Sequence, residues 1–147
     1  MSQPTTLKGV SVYLISGALA TITEQPTRYR LPAPPTYSTV YKIGITKDTT
    51  DRPRKYNTHN KSIQPLQALR TIPRRKHALE RAMQSELQRL GFHRIGTKGE
   101  WFTPPENPTP EAQAFLQYGF LSLKACRGRK VYILDENWQV VDSVAVP

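Results

Sequence analysis

The chain has 147 residues, of which 37% are apolar and 22% charged, and 21 Lys and Arg against 11 Asp and Glu give a net charge of +10 at pH 7. This composition is typical of one soluble globular domain, and no apolar run is long enough to cross a bilayer. The single cysteine, Cys126, excludes an internal disulfide and favours the reducing cytoplasm.

The first part of the chain predicts two strands separated by a long loop. Residues 1–8 are expected to be disordered. The run GVSVYLIS over 9–16 predicts a strand, and TVYKIGIT over 39–46 predicts a second one. Between them, residues 17–38 contain four prolines, which do not fit inside a sheet and therefore predict an extended insertion.

The middle of the chain predicts two helices and a third strand. Residues 47–60 start with capping residues and carry Pro53 near a first turn, which favours a short helix. Residues 66–72 alternate apolar and polar side chains and predict a strand. Apolar residues then recur at helical spacing from 74 to 90, and Gly91 is expected to end that helix.

The last part predicts a turn or short strand at GEWFTPP (99–105), a helix over 110–120 and a β-hairpin over 130–146 that turns at 135–138. The order of elements indicates one α+β domain over 9–105, followed by a C-terminal helix and hairpin over 106–147. Three roles stay open for this extension, namely positioning DNA, forming a homodimer, or covering a sheet edge.

Gly44 lies in the middle of the second predicted strand. Glycine destabilises a strand interior because it loses the most conformational freedom on folding. A glycine at such a place usually marks a bulge or a close approach to the backbone. We therefore expect another group to lie directly against Gly44.

The positive net charge predicts a polyanionic partner, and nucleic acid is the commonest polyanion in a cell. A solvated surface biased for solubility and an acidic protein partner are the alternatives. No P-loop, dinucleotide-binding turn or nucleophile elbow is present in the sequence, which argues against nucleotide-dependent and serine-hydrolase chemistry.

Five features in order resemble a GIY-YIG nuclease domain: GVSVYLI, YKIGIT, an arginine soon afterwards, a helix containing ALERAM, and GEWF. More narrowly, the K-I-G second motif and the terminal G-E-W-F are similar to the branch named for a phage T5 open reading frame. The resemblance implies a small mixed three-stranded sheet flanked by helices, which hydrolyses DNA phosphodiesters with one Mg²⁺ or Mn²⁺. Double-stranded DNA is the expected partner, and a phage, a mobile element and host repair stay open as the biological setting.

The resemblance assigns site residues by position. The catalytic residues are Tyr13, Lys42, Arg52, Tyr56 and Glu80, and Glu80 is the metal ligand. Glu100 is expected to hold the catalytic residues in place without touching the substrate. Contacts with nucleic acid are expected from Gly44, Arg54, His59, Arg74, Arg75 and Lys76.

These residue types fit phosphodiester hydrolysis. Arg52 can hold two phosphate oxygens with its planar guanidinium, and Glu80 offers the oxygen ligand that hard divalent cations prefer. A tyrosine hydroxyl near cations can act as general base, and Gly44 leaves room for the phosphate. Lys42 stands where many relatives have a second tyrosine. The adjacent Tyr41 cannot replace that tyrosine, because strand alternation turns it to the opposite face.

Alternatives remain open at several positions. Lysine can bind phosphate but cannot replace a phenol in acid–base chemistry, so Lys42 also fits a catalytically inactive nucleic-acid-binding module. Glu86 is the rival metal ligand. A zinc site built from His59, His77, His93 and Cys126 is disfavoured, because their spacing matches no paired-ligand motif.

Overall fold

The computed structural model describes residues 5–18, 39–48, 63–95 and 101–147. This part of the chain forms eight strands: β1 (Thr5–Thr6), β2 (Lys8–Ala18), β3 (Thr39–Asp48), β4 (Gln64–Arg70), β5 (His93–Ile95), β6 (Trp101–Thr103), β7 (Lys130–Leu134) and β8 (Gln139–Ala145). The helices are α1 (Lys76–Arg89) and α2 (Pro110–Tyr118), with short 3₁₀ turns at Pro73–Arg75, Gly119–Ser122 and Lys124–Cys126. Neither helix is long and apolar enough to cross a membrane.

One sheet contains all eight described strands, in the order β1-β8-β7-β4-β2-β3-β6-β5, and every pairing is antiparallel. The fold is α+β as predicted, but the expectation of a small mixed sheet of three strands is wrong. The hairpin β7–β8 pairs with β4 and the short strands β5 and β6 extend the sheet beyond β3. Each addition satisfies backbone groups that would otherwise be left at a sheet edge.

Most predicted elements are confirmed with shifted bounds. Strands β2, β3 and β4, helices α1 and α2, and the C-terminal hairpin all lie where the sequence pattern placed them. The hairpin turn is held by Asp135, whose carboxylate accepts hydrogen bonds from the N–H groups of Asn137 (2.8 Å) and Gln139 (2.9 Å).

The N-terminal segment differs from the expected disorder. Thr5 and Thr6 form β1, which pairs with Val140 and Gln139 of β8, and the following Leu7 is buried. The predicted helix over 47–60 and nearly all of the proline-rich insertion lie outside the described residues.

Two apolar clusters lie on opposite faces of the sheet. Helix α1 packs Leu79, Met83 and Leu87 on one face, and α2 adds Phe115 to the same cluster. Tyr41 belongs to this face as predicted, since its ring packs edge-to-face on Phe115 with centroids 5.7 Å apart. Burial there raises the pKa of the Tyr41 hydroxyl.

The opposite face carries a smaller cluster, whose buried members are Leu7, Tyr13, Ile15, Ile63, Ala68, Leu134 and Trp138. Trp138 comes from the β7–β8 turn and has a left-handed backbone, with φ of 64°. A non-glycine residue in that region is uncommon and is held there by its surroundings. The C-terminal hairpin therefore contributes both strands and core to the sheet.

Candidate active site

Strands β2 and β3 bring Tyr13, Lys42 and Gly44 to one face of the sheet. Tyr13 pairs directly with Gly44, and Ile15 pairs with Lys42, so all four side-chain positions share a face. On its other side β3 pairs with β6 only at Tyr41 and Lys42. The candidate site thus lies where β3 passes beyond its short neighbour.

The group that approaches Gly44 is the Tyr13 side chain. A Cβ atom at position 44 would overlap the Tyr13 hydroxyl oxygen and Cζ, and would lie 2.9 Å from Cε2. The sequence-based expectation of a close approach is therefore met by a phenol ring. The expected phosphate contact at Gly44 stays a prediction, and the ring lies on the side where a Gly44 side chain would project.

Tyr13 is held from two directions. Its ring packs edge-to-face on Trp138, with centroids 5.3 Å apart and planes at 78°. Only 2% of Tyr13 is exposed, and the small Ala68 pairs with it on the β4 side. The hydroxyl end is consequently directed across Gly44, towards β3.

Glu80 lies on α1, and the helix is tied to β3 one turn further on. The Gln84 side-chain amide donates a hydrogen bond to the Ile43 carbonyl at 3.3 Å, between Lys42 and Gly44. Glu80 precedes Gln84 by four residues and therefore lies on the same side of the helix. This hydrogen bond places Glu80 near β3, whereas α1 packs on the face of the sheet opposite Tyr13.

The Glu80 carboxyl is partly buried among positive side chains. Burial raises the pKa of Glu80 above its usual value, and the nearby charges of His77, Lys42, Arg81 and Arg94 oppose that rise. Burial disfavours the charged form of a carboxyl, whereas neighbouring cations favour it. The result is a carboxylate set inside a field that attracts anions.

Arg94 is a member of this group that the sequence did not predict. It lies on β5, and its guanidinium carbon is 4.9 Å from the centroid of the Phe102 ring, directly across the β5–β6 pair. The three-residue strand β5 is too short to show an apolar period. The place of Arg94 is therefore seen only in the pairing of β5 with β6, which contains the last two residues of GEWF.

The remaining predicted contacts divide into two sets. Arg74 and Arg75 are exposed in the 3₁₀ turn before α1, and Lys76 begins the helix one turn before Glu80. Their charges add to the positive N-terminal end of α1, where no acidic residue lies in the first turn. The other set, Arg52, Arg54, Tyr56, His59 and Glu100, lies outside the described residues.

The described part of the site offers a divalent cation few protein ligands. In the described ranges no group of three or more His, Cys, Asp or Glu residues converges. One carboxylate, that of Glu80, is enough for Mg²⁺ or Mn²⁺, because these hard cations keep several waters and take few protein ligands. Cys126 is buried, which raises its pKa to about 12 and makes it a poor zinc ligand.

The contacts of the Glu86 carboxylate give this residue a structural role that requires no metal ion. Its carboxylate accepts hydrogen bonds from the backbone N–H groups of Lys124 (2.9 Å) and Ala125 (2.5 Å), and it forms an ion pair with Arg89 at 3.8 Å. Glu86 therefore fixes the Lys124–Cys126 turn onto α1.

We expect Glu86→Ala to lower the free energy of unfolding by about 1–3 kcal/mol, because two backbone donors lose their acceptor. Chemical denaturation measures this loss, and Glu86→Gln is the matched variant that keeps one acceptor oxygen. Loss of metal-dependent activity in folded Glu86→Ala, without loss of stability, would instead make Glu86 a metal ligand.

Comparison with known proteins gives one family. The T5orf172 domain matches residues 18–114, or 97 of the 147 residues. The matched range includes Lys42, Gly44 and Glu80, begins after Tyr13, and ends before the C-terminal hairpin. No curated protein and no solved structure gives a significant match. Because a single family model covers about two thirds of its length, the chain belongs to the T5orf172 domain family.

Proposed function

We propose that this protein is a metal-dependent endonuclease that hydrolyses DNA phosphodiesters by GIY-YIG-type chemistry. The observation that carries the proposal is the partly buried Glu80 carboxyl on α1, on which the positive charges of His77, Lys42, Arg81 and Arg94 act. One carboxylate for a cation and several cations for a phosphate are the groups that this reaction requires. Membership of the T5orf172 family supports the same reaction class.

Each residue has a separate role in the proposal. Glu80 holds the divalent cation, which when bound neutralises charge on the phosphoryl oxygens. Lys42 binds a phosphate oxygen through its ammonium group. Arg52 holds two oxygens of the same phosphate, and Tyr56 assists in catalysis.

Tyr13 is the proposed general base. Its hydroxyl is directed across Gly44 on the face that carries Lys42, and the ring is fixed by Trp138. Neighbouring positive charge favours the deprotonated form of a phenol. The attacking water must then reach the hydroxyl from the β3 side of the site, and its proton passes to the phenolate oxygen.

The exposed basic residues at the start of α1 position the substrate. Arg74 and Arg75 precede Glu80 by six and five residues and add to the positive end of the helix. Such contacts bind the DNA backbone irrespective of sequence. We propose double-stranded DNA in the cytoplasm as the substrate.

A second candidate function is a DNA-binding module of the same fold that has lost catalysis. Lys42 in place of a tyrosine and the 2% exposure of Tyr13 favour it. Such a module would keep the basic surface and its salt-sensitive binding but show no cleavage with any cation.

The proposal predicts that the purified protein converts supercoiled plasmid to nicked circles with Mg²⁺ or Mn²⁺ and not with a chelator. Gel electrophoresis over a time course measures the conversion. Tight, salt-sensitive binding without nicking in either metal would overturn the enzyme and establish the binding module. Absence of both binding and nicking would overturn nucleic acid as the partner.

A further inference from the structure

The exposed side chain of Arg94 is held in one orientation by two contacts. The guanidinium lies over the fully buried ring of Phe102, within the range of a cation–π contact. One of its terminal nitrogens donates to the Gln84 side-chain oxygen at 3.5 Å. An aromatic surface and a hydrogen bond together limit the rotation of a long side chain.

Gln84 connects this guanidinium to the strand that carries the site. Its amide nitrogen donates to the Ile43 carbonyl at 3.3 Å, while its oxygen accepts from Arg94. The amide uses both its donor and its acceptor in the connection. Arg94 on β5 is thereby placed beside the backbone of β3 between Lys42 and Gly44.

Arg94 is also electrostatically coupled to the proposed metal ligand. Its charge is one of those that oppose the rise in the pKa of Glu80. A positive charge near a carboxylate weakens the attraction for a bare divalent cation, and it strengthens the attraction for a phosphate.

We propose that Arg94 is a substrate-binding residue that contacts a DNA phosphate next to the one held at Glu80. This inference rests on the proposed binding of DNA at the same site. A guanidinium presents a planar fork of N–H donors that matches two phosphate oxygens. Stacking on Phe102 fixes the plane of that fork, so that little side-chain entropy is lost when the phosphate binds. The proposal also gives the second aromatic residue of GEWF a role, as the support of the guanidinium.

The test is the salt dependence of binding to a short DNA duplex in EDTA, where no cleavage interferes. Each phosphate contact contributes roughly 0.9 to the slope of log K against log salt concentration for B-DNA. We expect Arg94→Gln to lower affinity about tenfold and the slope by about 0.9. Arg94→Lys should keep the slope and recover only part of the affinity, because an ammonium lacks the planar fork.

The matched control is Arg89→Gln, which removes the same charge from the far end of α1, where Arg89 is paired with Glu86. A surface pair of this kind contributes little to stability, so the control should fold normally. Equal affinity and slope in Arg94→Gln and Arg89→Gln would overturn the inference, even if the wild type cuts DNA. A lower slope in Arg94→Gln without any wild-type cleavage would support the inference and overturn the nuclease. A wild type that does not bind the duplex would overturn both.

Discussion

Glu80→Ala is expected to abolish metal-dependent nicking while DNA binding in EDTA stays within about twofold of wild type. The side chain is a partly buried carboxyl and contributes no positive charge to the DNA contacts. Its removal leaves a divalent cation without a protein ligand, so the transition state loses that charge neutralisation. Nicking assays with Mg²⁺ and Mn²⁺, beside binding titrations in EDTA, measure the two effects separately.

The matched control is Glu111→Ala, which removes an exposed carboxylate from the first turn of α2. It should nick plasmid like the wild type. Full activity in Glu80→Ala would show that the cation is held elsewhere and would remove Glu80 from the site.

The same carboxyl gives the expected reaction a pH dependence. Protons compete with the cation for Glu80, and burial raises the pKa of this carboxyl. Activity should therefore fall on acidification at a higher pH than an exposed glutamate ligand would give.

Gly44→Ala is expected to lower the free energy of unfolding by about 1–3 kcal/mol, the usual range for overpacking a core. Alanine restricts the unfolded chain more than glycine does, which would favour folding by about 0.4–1 kcal/mol. The overlap of the new methyl group with the Tyr13 hydroxyl and Cζ outweighs this gain. The Tyr13 ring cannot easily move away, because Trp138 packs against it. Urea denaturation of the single variant measures the difference.

A double-mutant cycle with Tyr13→Leu identifies the cause. Leucine lacks the hydroxyl and the ring atoms that meet the methyl group, so the double variant should be less destabilised than the sum of the two single variants. Strict additivity would mean that Gly44 is required for a reason other than the approach of Tyr13.

Periodicity in the sequence predicted the elements better than their assembly. The helical spacing of Leu79, Met83 and Leu87 placed α1, and β-branched runs placed β2, β3 and the C-terminal hairpin. The strands β1 and β5 have two and three residues, which is too short for any period to appear. The size of the sheet could not be predicted, since a strand pattern does not specify the neighbour with which the strand pairs.

The same limit applies to the site. The glycine in β3 correctly indicated a close approach, but only the register of β2 against β3 identifies Tyr13 as the approaching group. The role of Glu80 was assigned by resemblance and stays a prediction. Arg94 could not be placed from the sequence, because its position beside β3 depends on the hydrogen bond from Gln84 to Ile43, 41 residues away. The pairing of the short strands was thus not accessible to sequence reasoning, and the site roles assigned by resemblance stay predictions.

The pairing of β1 with β8 affects how the protein is made. Thr5 and Val140 are strand partners, so the first described strand has its neighbour only after Val140 has left the ribosome. Until then the nascent sheet lacks Trp138, and the face around Tyr13 is without that cover. Uncovered apolar surface of this kind makes incomplete chains prone to aggregation. Chains released before the last hairpin is synthesised should therefore depend on chaperones for their solubility.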